Sequence, residues 1–195
     1  MGKLNIIIGP MYSGKTSELL RRCVRYRIGG KKCLVIKYKG DNRYDETKIV
    51  THNLIKEDAF LCTKLIDYDS KITDYDVILI DEIQFYKDAS IFCDKWANEG
   101  KIVEVCGLNG DYSRKPFEQI SLLIPLADEI IHLKAVDKSN GNDAPFTVRL
   151  SNDNEQEIIG GDELYQAMDR GNYLKYNILK SFGGQTELVY NWINK

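Results

Sequence analysis

The stretch Gly9-Pro10-Met11-Tyr12-Ser13-Gly14-Lys15-Thr16 decides the fold of this 195-residue chain. Its spacing, G-x-x-x-x-G-K-T, lets backbone N–H groups bend around an anion and point at phosphate oxygens. The apolar run Leu4 to Ile8 precedes it and an amphipathic segment from Ser17 follows it, so the sequence predicts a strand, a phosphate-binding loop and a helix. We expect Lys15 to reach the outer phosphates and the Thr16 hydroxyl to bind Mg²⁺.

The helix after this loop is predicted to end at Gly29-Gly30, and the next apolar run is Cys33 to Ile36. A short continuous apolar run is typical of a strand buried on both faces of a parallel sheet. These segments together predict a βαβ unit. Four arginines lie largely between the apolar positions of the helix, and we expect them on a solvated face: Arg21, Arg22, Arg25 and Arg27.

A second apolar run, Val77 to Ile80, ends in the acids Asp81 and Glu82. Ligands bind at the carboxyl edge of an open α/β sheet, so Asp81 is predicted to order Mg²⁺ directly or through water. Glu82 cannot point the same way as its neighbour, which leaves it free to accept a proton from a substrate hydroxyl. The alternative is a strand that ends in solvated acids. Gln84 and Phe85 follow, and they offer an amide and a stacking face for a flat base.

The rest of the chain alternates helical and extended patterns. Four further segments are predicted, two helical and two extended: a helix between Tyr86 and Gly100, a strand at Ile102 to Gly107, a helix at Gln119 to Leu126 and a strand at Glu129 to Lys134. Phe146 to Leu150 and Glu157 to Ile159 then predict a β-hairpin, and a short helix is expected from Asp162. The polar loop around Asp41 and Arg43 either faces the phosphates or carries an ordinary surface ion pair.

Composition describes a soluble globular protein: 43% of residues are hydrophobic, 29% are charged and only 4 are prolines. The formal net charge of −2 predicts no nucleic-acid partner and no membrane partner, and it favours a small substrate. The five cysteines form no C-x-x-C pair, so we expect buried free thiols, a reducing compartment and a cytoplasmic protein: Cys23, Cys33, Cys62, Cys93 and Cys106.

At this level of detail the chain resembles the type II thymidine kinases, the cytosolic and poxvirus-like family, to about Tyr173. Five motifs carry the resemblance: Gly9-Pro10-Met11-Tyr12-Ser13-Gly14-Lys15-Thr16, Asp41-Asn42-Arg43-Tyr44, Asp81-Glu82-Ile83-Gln84-Phe85, Leu108-Asn109-Gly110-Asp111-Tyr112-Ser113-Arg114-Lys115-Pro116-Phe117 and Ile158-Ile159-Gly160-Gly161-Asp162-Glu163-Leu164-Tyr165. The resemblance implies a RecA-like α/β fold, phosphorylation of the 5′-hydroxyl of thymidine with deoxyuridine as a second acceptor, ATP with Mg²⁺ as donor, and a homo-oligomer, dimer or tetramer.

The resemblance also assigns residues to roles. Glu82 becomes the base that deprotonates the 5′-hydroxyl. The ATP-binding residues are then Gly9, Pro10, Met11, Tyr12, Ser13, Gly14, Lys15, Thr16, Asp81 and Gln84, with Thr16 and Asp81 serving Mg²⁺. The nucleoside-binding residues are Met11, Phe85, Leu108, Tyr112, Phe117, Thr147, Ile158 and Tyr165.

Three parts are expected: a P-loop nucleotide-binding α/β core (residues 1–135), a lasso over the nucleoside site (residues 136–173) and a C-terminal helical extension (residues 174–195). Two departures from the family pattern stand out. Asn109-Gly110-Asp111-Tyr112 replaces Asp-Gly-Thr-Phe, which puts a new carboxylate and a phenol beside the pocket. The cysteines that hold zinc in many relatives are replaced by Asp137, Asn140, Asp169 and Asn172, so no structural zinc is expected.

Two other functions fit parts of the sequence. A catalytically altered P-loop nucleotide-binding protein would share the fold, but it has no chemical need for Glu82. An ATPase that moves a nucleic-acid strand would need a basic stripe, which the near-neutral charge disfavours. The sequence therefore favours the kinase.

Overall fold

The computed structural model describes residues 1–40, 48–50, 56–151, 160–161 and 163–181, with the backbone alone for residues 48–50, 56, 57 and 181. The strands in chain order are β1 Lys3–Gly9, β2 Cys33–Tyr38, β3 Lys48–Val50, β4 Lys56–Asp58, β5 Phe60–Cys62, β6 Val77–Ile80, β7 Ile102–Leu108, β8 Glu129–His132, β9 Ala135–Val136, β10 Asp143–Ala144, β11 Phe146–Arg149 and β12 Tyr165–Met168. The α-helices are α1 Lys15–Ile28, α2 Ala89–Asn98, α3 Glu118–Leu123 and α4 Arg170–Ser181. Short 3₁₀ helices cover Leu65–Tyr68, Ile72–Asp74, Ile83–Phe85 and Ile124–Leu126.

Six parallel strands form the central sheet in the order β5-β2-β6-β7-β1-β8. Strand β7 separates β1, which leads into the phosphate loop, from β6, which ends in the two acids. Because all six strands run parallel, the phosphate loop and the acids emerge at the same edge. This arrangement confirms the expected RecA-like α/β fold.

Both faces of the sheet are covered by apolar side chains, as the continuous apolar runs predict. Ile6 and Ile80 point to one face, where they pack in a cluster with Trp96 of α2. Ile7 and Leu79, one position along each strand, point to the other face and pack with α1. Each of these side chains is fully buried, and each contributes about 1.5–3 kcal/mol to the hydrophobic stabilisation.

One arginine of α1 departs from the expected solvated face. Arg21, Arg25 and Arg27 are exposed, but only 13% of the Arg22 side chain is exposed. Its Nη1 donates to Oε2 of the fully buried Glu104 at 2.7 Å. A buried carboxylate is costly unless it is paired, so the ion pair holds α1 on β7.

Strand β8 lies at the end of the sheet, beside β1. His132, inside the predicted strand Glu129 to Lys134, is the last residue of β8 and is exposed. All five cysteines are free, and all but Cys33 are buried. Within the described ranges, every helix is too short or too polar to cross a bilayer.

In the described part of the lasso region, β9 pairs with β10 and β11 pairs with β12, each as a small antiparallel sheet. The predicted helix from Asp162 is wrong, because residues 165–168 form β12 and pair with β11. The expected hairpin partner Glu157 to Ile159 lies outside the described residues. Helix α4 follows and spans the predicted boundary between residues 173 and 174.

Candidate active site

The phosphate loop connects β1 to α1 and contains two residues with a left-handed backbone, Tyr12 and Gly14. Gly14, which precedes α1, has a left-handed backbone with φ of 82°, and a side chain there would be strained. Lys15 is 9% exposed, and its Nζ donates to the carbonyl of Pro10 at 2.7 Å. The ammonium group therefore lies over the curve of the loop, where a phosphate would sit.

Thr16 and Asp81 come together at the carboxyl edge. The Thr16 hydroxyl donates to Asp81, with distances of 3.2 and 3.3 Å to its two carboxylate oxygens. A hydroxyl and a carboxylate are the hard oxygen ligands that Mg²⁺ takes beside phosphates and water, so the pair fits this ion.

A buried cysteine contacts the carboxylate of Asp81. The Cys106 thiol donates to Oδ1 of Asp81 at 2.8 Å. Burial raises the pKa of this thiol well above its usual value, and the Asp81 carboxylate raises it further. Cys106 therefore stays protonated and acts as a hydrogen-bond donor.

Glu82 is turned away from Asp81 by its backbone. It adopts φ 52° and ψ 48°, a left-handed conformation that is uncommon for a residue with a side chain. Its N–H donates to Asp81 Oδ1 at 3.1 Å, and its half-buried carboxylate accepts from Gln84 Nε2 at 2.5 Å. The turn thus gives two consecutive carboxylates different directions, as the sequence predicts.

A pocket with about 340 Å³ of empty space, open mouth included, is lined by Met11 of the phosphate loop and by Phe85 of the turn that follows the acids. Seven of the eight residues predicted to bind the nucleoside line it: Met11, Phe85, Leu108, Tyr112, Phe117, Thr147 and Tyr165. The eighth, Ile158, lies outside the described residues, as do Asp41 and Arg43.

Hydrogen bonds join the lasso to the phosphate loop. The N–H of Met11 donates to Oγ1 of Thr147 at 3.0 Å, and this pair is buried. The phenol of Tyr12 donates to the carbonyl of Tyr165 at 3.2 Å. Met11, Thr147 and Tyr165 also line the pocket, so the phosphate loop and the lasso both contribute to its wall.

Arg149 lines the same pocket, and the sequence reasoning missed it. It is 2% exposed, and its guanidinium lies 4.1 Å from the ring centroid of Tyr112 and 5.3 Å from that of Tyr165. Alternation along β11 places Arg149 on the same face as Thr147, and this was the signal that could have found it.

The two family departures near the pocket have different surroundings. Oδ1 of Asp111 accepts N–H bonds from Ser113 and Lys115, both at 2.8 Å, so this carboxylate closes its own turn. The Tyr112 ring lies against Arg149, and its carbonyl accepts from the phenol of Tyr173 in α4 at 2.8 Å. Helix α4 therefore holds the backbone of Tyr112, a residue that lines the pocket.

The four residues at the zinc-cysteine positions contact one another directly. Oδ2 of Asp137 accepts from the Asp169 N–H at 2.8 Å and from Asn172 Nδ2 at 2.9 Å. Asn140 Nδ2 donates to Oδ2 of Asp169 at 2.8 Å. We call these residues the lasso network.

The lasso network perturbs both of its carboxylates. Burial acts to raise the pKa of Asp137, but hydrogen bonds from Asp169, Ser139 and Asn172 outweigh it and hold this pKa below its usual value. The backbone N–H of Asn172, with the amides of Asn140 and Asn142, lowers the pKa of Asp169. The network is therefore strongest when both carboxylates are ionised.

The thymidine kinase family model matches residues 2–173. Thymidine kinases of vaccinia virus (strain Western Reserve), monkeypox virus and variola virus (isolate Human/India/Ind3/1967) are each 47% identical over 173 residues, covering 89% of this chain and 97% of the relative. Among solved structures, the Legionella pneumophila ATPase DotB aligns with a TM-score of 0.41 at 13% identity, over 99% of this chain and 51% of that one. The family match and the identity establish that this chain belongs to the thymidine kinase family.

Proposed function

We propose that the protein transfers the γ-phosphoryl group of ATP to the 5′-hydroxyl of thymidine, with deoxyuridine as a second acceptor, and so serves nucleotide salvage. Family membership supports the reaction and the donor. The observation that carries the proposal is that Met11 belongs to the phosphate loop and also lines the pocket. A nucleoside in that pocket would have its reacting end beside the phosphates.

The acids supply the chemistry that the transfer requires. Glu82 accepts the proton of the 5′-hydroxyl. The hydroxyl oxygen bonds to the γ-phosphorus of ATP as the bond between that phosphorus and the leaving ADP breaks. Lys15 and the N–H groups of the phosphate loop stabilise the charge on the transferred group. Positioning dominates, because the protein has little covalent work to do.

Magnesium belongs to this proposal. Bound Mg²⁺ would neutralise charge on the transferring phosphates. Thr16 and Asp81 are the residues that would hold it, and their hydroxyl and carboxylate oxygens fit it.

The environment and assembly of the protein are proposed in the same way. Free buried thiols support a reducing, cytoplasmic setting, and the net charge of −2 supports the absence of nucleic-acid and membrane partners. A homo-oligomer, dimer or tetramer, is supported by exposed apolar side chains in the segment from α3 to β8: Leu122, Ile124, Leu126 and Ile130. Sedimentation of a monomer at micromolar concentration would contradict that assembly.

A nucleoside panel tests the reaction. The protein is incubated with ATP, Mg²⁺ and each nucleoside, and products are separated by chromatography. Thymidine monophosphate as the main product supports the proposal. ATP binding without any phosphorylated nucleoside supports the catalytically altered protein instead, and ATP hydrolysis that single-stranded DNA stimulates supports a nucleic-acid motor.

A further inference from the structure

Gln84 lies between the carboxyl ends of β6 and β7, which both contribute residues to the site. It lies in the 3₁₀ turn after β6 and is 5% exposed. Its Nε2 donates to Oε2 of Glu82 at 2.5 Å, and its Oε1 accepts from the N–H of Leu108, the last residue of β7, at 3.3 Å. The amide therefore bridges the proposed base and the end of the neighbouring strand.

The packing around this amide leaves it little freedom. A Cβ atom on Gly107 would lie 2.5 Å from Oε1 of Gln84, so the glycine lets the amide approach β7 closely. The Phe85 N–H donates to the carbonyl of Glu82 at 3.1 Å and closes the turn. A left-handed residue such as Glu82 persists only when its surroundings over-determine it, and these contacts do so.

We propose that Gln84 is a positioning residue for Glu82, an inference that rests on the proposed role of Glu82 as the base. The N–H of the Gln84 amide holds Oε2 of Glu82 and so orients the carboxylate that accepts the proton of the 5′-hydroxyl. An amide suits this task because it donates a hydrogen bond to the carboxylate without neutralising it by proton transfer.

This role differs from the ATP contact that the sequence suggests for Gln84. Both the donor and the acceptor group of the amide have protein partners, and the side chain is buried. Loss of the amide should therefore slow the transfer step and leave ATP affinity close to the wild-type value.

The test uses Gln84→Met, which keeps the length of the side chain and removes both hydrogen bonds. Gln119→Met is the matched control, because Gln119 is 8% exposed, accepts from the Ser90 N–H at 3.0 Å and donates to the carbonyl of Lys87 at 2.9 Å. Single-turnover rates are measured at saturating ATP and thymidine, and dissociation constants of both ligands by calorimetry.

We expect Gln84→Met to lower the transfer rate by about 10- to 100-fold, since small misplacements of a reacting group cost up to about 10² in rate. Gln119→Met should stay within about twofold of the wild type. In a Glu82→Gln background, Gln84→Met should have less than about a twofold further effect, because it acts through that carboxylate. Gln84→Asn should lose rate in the same way, since its amide is too short to span both partners.

Several results would overturn the inference: an unchanged rate in both Gln84 variants, independent effects of Gln84→Met and Glu82→Gln, or a loss of ATP affinity in place of rate. A wild-type protein that phosphorylates no nucleoside would instead contradict the proposed function itself. The two failures are therefore distinguishable.

Discussion

Arg149 donates two hydrogen bonds to the phenol oxygen of Tyr165, at 2.8 Å from Nη2 and 3.2 Å from Nε. The two residues lie opposite each other in the β11–β12 pair. A planar guanidinium donates its hydrogen bonds in fixed directions. This contact therefore orients the two side chains, Arg149 and Tyr165, that the lasso contributes to the pocket wall.

The first prediction concerns this contact. Arg149→Lys keeps the charge but loses the planar fork, and it should raise the KM for thymidine by about tenfold or more, since a buried charged hydrogen bond is worth about 1.5–3 kcal/mol. The KM for ATP should change little. Steady-state kinetics check the result, with Arg21→Lys as a control on the exposed face of α1. An unchanged KM for thymidine would show that Arg149 does not contribute to thymidine binding.

The second prediction concerns Lys15. Lys15→Ala should weaken ATP binding and slow transfer together, because the ammonium contacts phosphates in both the ground state and the transition state. Lys101→Ala is the matched control, since the Lys101 ammonium also donates to backbone carbonyls, those of Thr73 and Tyr75. If ATP affinity and rate both survived in Lys15→Ala, the phosphate-loop assignment would be wrong.

The third prediction is that activity requires no structural zinc, because the lasso network ties Asp137 to Asp169 and Asn172 through hydrogen bonds. Protein purified without added metal should contain less than stoichiometric zinc by elemental analysis. Activity should survive a zinc-selective chelator in excess Mg²⁺. Activity that chelation abolishes and zinc restores would contradict this.

The fourth prediction follows from the lowered pKa values of Asp137 and Asp169. A carboxylate with a lower pKa in the folded state contributes stability that is present above its unfolded value, about 3.9, and is lost as pH falls through its folded value. Hydrogen exchange of the β11 and β12 amides, taken relative to the intrinsic exchange rate at each pH, should therefore become faster as pH falls below about 4.

Asp137→Asn should flatten this acid response, while Asp74→Asn, at an exposed position, should not. Identical acid profiles for the wild type and Asp137→Asn would show that the lasso network does not depend on the charge of Asp137.

The parts of the fold that the sequence predicted are those with local causes. Glycine and lysine spacing predicts the phosphate loop, and continuous apolar runs predict β2, β6 and β7. Resemblance to a family supplied the pocket residues, because side chains from five separate segments meet there. No periodicity within one segment could indicate that meeting.

The misses have tertiary causes. Strand β12, Tyr-Gln-Ala-Met, contains good helix formers, but pairing with β11 supplies its hydrogen bonds. Arg22 reads as a surface residue until Glu104 is known to lie buried beneath it. In each case the partner lies elsewhere in the chain.

The fifth prediction tests the account most directly. Glu82 should be the base, so Glu82→Gln, which keeps size and hydrogen bonding, should lower the single-turnover rate of thymidine phosphorylation by at least ~10²-fold. Dissociation constants for ATP and thymidine should stay near their wild-type values. The decisive measurement is this rate at saturating ATP, Mg²⁺ and thymidine: a loss of two orders of magnitude or more with intact binding is predicted, and an unchanged rate would contradict the account.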